Sequence, residues 1–191
     1  MRRAGVIFVA MLTGLGPVVG DDSFAMAGVI DEIRFGLHAY DVHYAALPFR
    51  VGEWDVKGIE SFSADLLFVT PDSDLLYWLG SPRPEIGTTI NFTGQESLVH
   101  AGLVWQLPVL DSPVYLEGAF GAAIHNGALV GASDAHKNFG CRVNFYERFG
   151  VGVHASETMT ATLTYEHMSN NGWCQANDGL SNLGVRLGWK F

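Results

Sequence analysis

The chain has 191 residues, 48% of them hydrophobic and 16% charged, with a formal net charge of −9. That length suits a single domain, and the acidic balance argues against a nucleic-acid partner. No phosphate loop or nucleotide motif is present.

Residues 1–27 read as a secretory signal. Arg2 and Arg3 precede an apolar run from Ala4 to Val19, and small residues end at Ala25-Met26-Ala27. Cleavage is expected after Ala27, with Gly20 as the alternative. A retained anchor is the competing reading, but Pro17 breaks the run early and no stop-transfer flank follows. The exported part keeps a net charge of −9 and carries Cys141 and Cys174 into an oxidising environment. A disulfide is permitted there, and two unpaired small core residues fit the sequence equally well. No other apolar run approaches the ~18 residues of a spanning helix, so any crossing of a membrane must be by strands.

Eight segments alternate apolar and polar residues between turn signals: 32–40, 58–70, 85–92, 98–107, 114–124, 139–154, 159–169 and 181–191. In the last of these, Leu183, Val185, Leu187, Trp189 and Phe191 form one face, and Asn182, Gly184, Arg186, Gly188 and Lys190 form the other. An even strand count with small and charged residues opposite an apolar ladder predicts an eight-stranded antiparallel transmembrane β-barrel of the outer membrane over residues 28–191. With both termini periplasmic, loops 41–55, 125–137 and 170–180 fall outside, and the turns at 108–113 and 156–157 fall inside. The outer connection near Thr93-Gly94 is short and the inner connector 71–84 is long, so these two fit the topology least well. A secreted lipocalin-like barrel with its apolar face inward is the soluble alternative.

The stretch Tyr165-Glu166-His167-Met168-Ser169-Asn170 ends the seventh segment. Alternation puts His167 and Ser169 on one face with Tyr165, Leu163, Ala161 and Met159, the face that meets lipid in a membrane barrel. A serine hydroxyl becomes a nucleophile when a base takes its proton, and histidine is the usual base. By spacing alone, His-x-Ser also suits two polar residues at a membrane interface.

Around this pair, Glu166-His167-Met168-Ser169-Asn170, Asn177-Asp178-Gly179 and the ending Leu183-Gly184-Val185-Arg186-Leu187-Gly188-Trp189-Lys190-Phe191 resemble the lipid A 3-O-deacylase family of the outer membrane (PagL type). Ile124-His125-Asn126-Gly127 resembles it too. The resemblance implies an enzyme that hydrolyses the ester-linked acyl chain at the 3 position of lipid A, without metal or other cofactor. It implies Ser169 as nucleophile, His167 as general base, and Asn170 with Asn177 as oxyanion donors. The substrate is then lipid A within lipopolysaccharide and the surroundings are outer-membrane lipid, with a homodimer left open. The family pattern has a glutamate twelve residues after the serine, where this chain has Ser181. Glu147 offers a substitute carboxylate, since pairing the sixth and seventh segments about Ser156-Glu157 brings residue 146 or 147 opposite His167. A strand bulge would instead turn Glu147 into the lumen toward Arg148 or Arg142.

Glu166 is expected to point inward as the ion-pair partner of Arg186. His100, His125, His136 and His154 lack metal-ligand spacing and read as loop or interface residues. Trp54, Trp78, Trp105, Trp173 and Trp189 read as interface anchors. A non-enzymatic small outer-membrane barrel of structural or adhesive role is the main alternative function, and it has no need of His167 and Ser169 together on the lipid face.

Overall fold

The computed structural model describes residues 28–191, so the export signal expected over 1–27 lies outside the described residues. Eight antiparallel strands close on themselves in sequence order: β1 (Ile30–Ala39), β2 (Ser61–Phe68), β3 (Arg83–Asn91), β4 (Leu98–Pro108), β5 (Val114–His125), β6 (Val143–His154), β7 (Met159–Ser169) and β8 (Leu180–Lys190). Closure is made by β1 against β8, in register from Glu32↔Lys190 to Ala39↔Leu183. A closed ladder leaves no strand edge for lipid to meet, which is what lets strands cross a bilayer.

The alternation read from the sequence is inside-out relative to a soluble barrel. Phe35, Leu37, Leu163, Val185, Leu187 and Trp189 are exposed on the outer wall, whereas Arg34, Asp65, Glu117, Arg148, Glu166 and Arg186 are buried in the lumen. A barrel this narrow has to fill its interior with side chains, and polar ones there must satisfy one another. Arg34 binds Glu117 at 2.7 Å and Glu32 at 3.0 Å, and Arg148 binds Glu85 at 2.6 Å and Glu117 at 3.1 Å. Arg186 binds Asp65 at 2.8 Å and Glu166 at 2.6 Å, the second pair being the one expected from sequence. His100 joins this plug, stacked on Tyr146 with ring centroids 4.0 Å apart. Its expected place in a loop or interface is therefore corrected: it lies near the start of β4 on the inward phase of the strand.

The largest differences from the sequence reading are two strand starts and the content of one connector. The second strand begins at Ser61 rather than 58. The sixth begins at Val143 rather than 139, because Gly140 takes φ 71° and turns the chain before the ladder starts. Within the long connector 71–84 sits a short helix, α1 (Asp74–Trp78), with Leu75, Tyr77 and Trp78 exposed in the manner of an interfacial anchor.

Two outcomes follow from this architecture. Refolded protein should run as a compact band on SDS gels when unheated and shift on boiling, because a closed barrel has no edge at which detergent can open it; a single heat-insensitive mobility would contradict closure. Replacing Arg148 by Leu strands the buried carboxylate of Glu85 and leaves Glu117 with Arg34 as its remaining arginine, and should lower the unfolding free energy in detergent and urea by about 3–5 kcal/mol.

Candidate active site

The loops at the end of the barrel opposite the termini are bound together. The disulfide Cys141–Cys174 joins the β5–β6 loop to the β7–β8 loop, which decides the alternative that the sequence left open. Beside it, Gly140 packs so closely on Ala176 that an added Cβ would lie 2.0 Å from the Ala176 carbonyl oxygen. Glu96 in the β3–β4 loop accepts hydrogen bonds from the Tyr40 hydroxyl, the Lys137 amide at 3.0 Å and His136 at 3.1 Å. Burial raises the Glu96 pKa, but these hydrogen bonds together outweigh it and hold the carboxyl below its usual range.

The β1–β2 connection does not stand away from the barrel as an outer loop. It folds back as a strap over the outer wall of β8 and β7, fixed by Val42 N–H to the Ser181 carbonyl at 2.8 Å. Trp54 stacks on Tyr165 with centroids 5.7 Å apart, and the Tyr165 hydroxyl donates to the Ala45 carbonyl. Lipid-face positions under the strap are consequently buried: Ala39 and Tyr165 are each 3% exposed, and Ser181 is fully covered. Trp54 is thus a clamp of this strap rather than a free interface anchor. The sequence signal for it was the apolar content of a supposed outer loop, in Tyr44, Leu47, Phe49, Val51 and Trp54.

Under this cover, three strands present one row of polar groups on the lipid face. Glu147 on β6 is directly opposite His167 on β7, and His167 is directly opposite Ser181 on β8. No bulge interrupts β6, so Glu147 stays outside and half-buried, while Arg148 beside it turns inward. Glu147 Oε2 is buried without a hydrogen-bond partner among the described residues. His167 is 3% exposed, and its Nδ1 is 2.8 Å from Ser181 Oγ. Ser169 lies one rung further along the same face, opposite Phe145, and is only partly buried. No His167–Ser169 hydrogen bond is formed here; such contacts often tighten only once substrate is bound.

Gly179, at φ 65°, brings the β7–β8 loop against the imidazole, where an added Cβ would stand 3.2 Å from His167 Cε1. In the same loop Asn170 uses its side-chain amide to donate to the carbonyls of Phe139 at 2.6 Å and Ala176 at 2.7 Å. Its backbone N–H donates to Asn177 Oδ1 at 2.9 Å. Both side-chain protons of Asn170 are therefore committed to the loop scaffold, whereas Asn177 is exposed and held by its oxygen, leaving its NH₂ group outward.

Two apolar recesses flank the row on the outer wall. One, of about 620 Å³, runs below Tyr165 between the strap residues Phe49 and Trp54 and the wall residues Trp105, Leu107, Leu116, Phe149, Val151 and Leu163. The other, of about 200 Å³, lies beside Ser169's partner Phe145, against Val143 and Trp173, with Trp173 edge-on to Phe145 at 5.0 Å. The arrangement is a hydroxyl and an imidazole on one lipid-facing strand face with apolar hollows on either side, groups whose chemistry can serve attack on an ester held in a bilayer.

The barrel is similar to the crystal structure of the outer membrane enzyme PagL, with a TM-score of 0.57 and 16% identity, over 84% of this chain and 99% of that one. It is also similar to the N-terminal β-barrel domain of Pseudomonas aeruginosa OprF, with a TM-score of 0.52 and 9% identity, over 85% of this chain and 99% of that one. At such identities these likenesses show the fold. No curated protein sequence matches the chain. The family model for lipid A 3-O-deacylase (PagL), however, matches residues 57–190, a span that includes Glu147, His167, Ser169 and Ser181. The chain therefore belongs to the lipid A 3-O-deacylase (PagL) family, as an eight-stranded barrel of the bacterial outer membrane with lipid A deacylase activity.

Proposed function

We propose that the chain hydrolyses the ester-linked acyl chain at the 3 position of lipid A, with Ser169 as nucleophile and His167 as general base. The observation that carries this reading is the placement of His167 and Ser169 on successive lipid-facing rungs of β7, at the barrel end opposite the termini. With periplasmic termini that end lies at the outer leaflet, where the substrate's sugar sits above the chains of the membrane. Ser169 Oγ attacks the ester carbonyl carbon as His167 Nε2 takes its proton. The tetrahedral oxyanion collapses, and the sugar 3-oxygen leaves with that proton. Water, deprotonated by His167, then releases the fatty acid from Ser169.

Asn177 is the oxyanion donor in this scheme, and Asn170 sets its direction by holding Asn177 Oδ1. Glu147 is the third member by virtue of its charge: a carboxylate on the neighbouring rung favours the imidazolium that forms when the serine proton is taken. The apolar recesses beside the row accept hydrocarbon chains.

Mass spectrometry of lipid A from cells with and without the chain tests the reaction; loss of one 3-linked acyl chain is expected, and loss from another position would overturn the regiochemistry. Ser169→Ala should reduce hydrolysis about a thousandfold or more with the heat-modifiable band retained, because one unit of the machinery is missing. Activity within a few fold of the parent would reject the serine mechanism. Glu147→Gln keeps size and removes charge, and should lower kcat by roughly a hundredfold; a fully active variant would restrict the machinery to the serine and histidine.

A further inference from the structure

Ser181 stands where the family pattern has its glutamate, and a hydroxyl cannot supply a carboxylate's charge. Its surroundings nonetheless give it a defined direction. Ser181 is fully buried between β7 and the strap, with His167 Nδ1 at 2.8 Å and the Ala45 carbonyl oxygen at 3.3 Å from its oxygen; the Tyr165 hydroxyl, also a neighbour of the Ser181 side chain, has its own proton committed to Ala45. A serine hydroxyl has one proton to give, and a carbonyl can only accept. With that proton on Ala45, the hydroxyl offers His167 a lone pair, so Nδ1 must carry the imidazole proton. Nε2 is then the unprotonated nitrogen, the form that a base requires.

The Ala45 carbonyl is itself held in place. It also accepts from the Tyr165 hydroxyl, and Tyr165 is stacked under Trp54. Val42, three residues before Ala45, is hydrogen-bonded to the Ser181 backbone. The strap residues 41–56 precede the part of the chain that matches the family model, so this anchoring is read from the present structure alone.

We propose that Ser181 is a positioning residue that fixes the Nδ1–H tautomer of His167, and that the β1–β2 strap completes the site by supplying the Ala45 carbonyl as the final acceptor of that hydrogen-bond chain. Orientation and charge are then divided between two neighbours of His167. Ser181 orients from β8, and Glu147 provides charge from β6. This inference rests on the proposed use of His167 as the base, but the arrangement of protons exists whether or not the enzyme turns over.

The test is ¹⁵N NMR of histidine-labelled, refolded barrel in detergent micelles, on the Ser169→Ala background, combined with kinetics in the background that retains Ser169. The His167 signals should show one tautomer, protonated at Nδ1. Ser181→Ala should give a mixture of tautomers and lower kcat at least about tenfold with KM within about threefold. Ser181→Thr retains the hydroxyl and should keep both the tautomer and most of the rate. Trp54→Ala, which unseats the strap without touching the polar row, should reproduce the tautomer mixing, and it carries the test if Ser181→Ala does not fold. A single Nδ1–H tautomer persisting in Ser181→Ala and Trp54→Ala would overturn the proposal. So would a tautomer that changes in Glu147→Gln and not in Ser181→Ala, since orientation would then come from β6. Full hydrolysis by Ser169→Ala would instead remove the serine mechanism while leaving the NMR result to report on Ser181.

Discussion

The pairing of β1 with β8 is the constraint on which the rest of the molecule depends. In hydrocarbon every strand must have its backbone groups bonded on both sides, and only closure achieves that for the first and last strands. The same register has a local consequence at the outer end. It puts Ala39 beside Leu183, so the chain leaving β1 starts next to the top of β8 and can bond Val42 to Ser181 at once. Closure thus aims the strap across β8 and β7, over the side chains that form the row.

Closure also creates the interior that must be filled. Arg34, Arg148 and Arg186 are each buried against two carboxylates, so among the described residues none of these three lumen guanidiniums is left unpaired. Such pairs gain little over apolar packing but are costly to break singly, which makes the plug rigid and holds the strands in one register. A fixed register is what a site built across strands requires. Glu147, His167 and Ser181 lie 34 residues apart from first to last in the chain, yet they are immediate neighbours because two successive ladders hold them level.

On the lipid side the chemistry depends on exclusion as much as on contact. His167 and Ser181 are buried beside the strap and Ser169 is left partly open, so in the scheme proposed above the orienting groups are shielded while the nucleophile remains reachable. The loop disulfide and the amide of Asn170 perform the corresponding task above the row, holding Asn177 and Gly179 against it. A rigid polar frame at the edge of an apolar wall keeps reacting groups placed without requiring substrate to order them.

The strands, the inward and outward faces, and the common face of His167 and Ser169 were determined by the sequence alone, because a period of two is a local property of strand geometry that each segment displays by itself. The Glu166–Arg186 pair was legible for the same reason, as two inward positions on adjacent strands. Where Glu147 points was left between two readings, since a single bulge reverses a face and leaves no mark in composition. The partner of Cys141, the engagement of Asn170's amide and the course of residues 41–56 were decided only by tertiary structure. Loops have no period to read, and their path is set by what they bury: here Trp54 on Tyr165 and Ala45 over Ser181, contacts between residues more than a hundred positions apart that exist only after the barrel has closed.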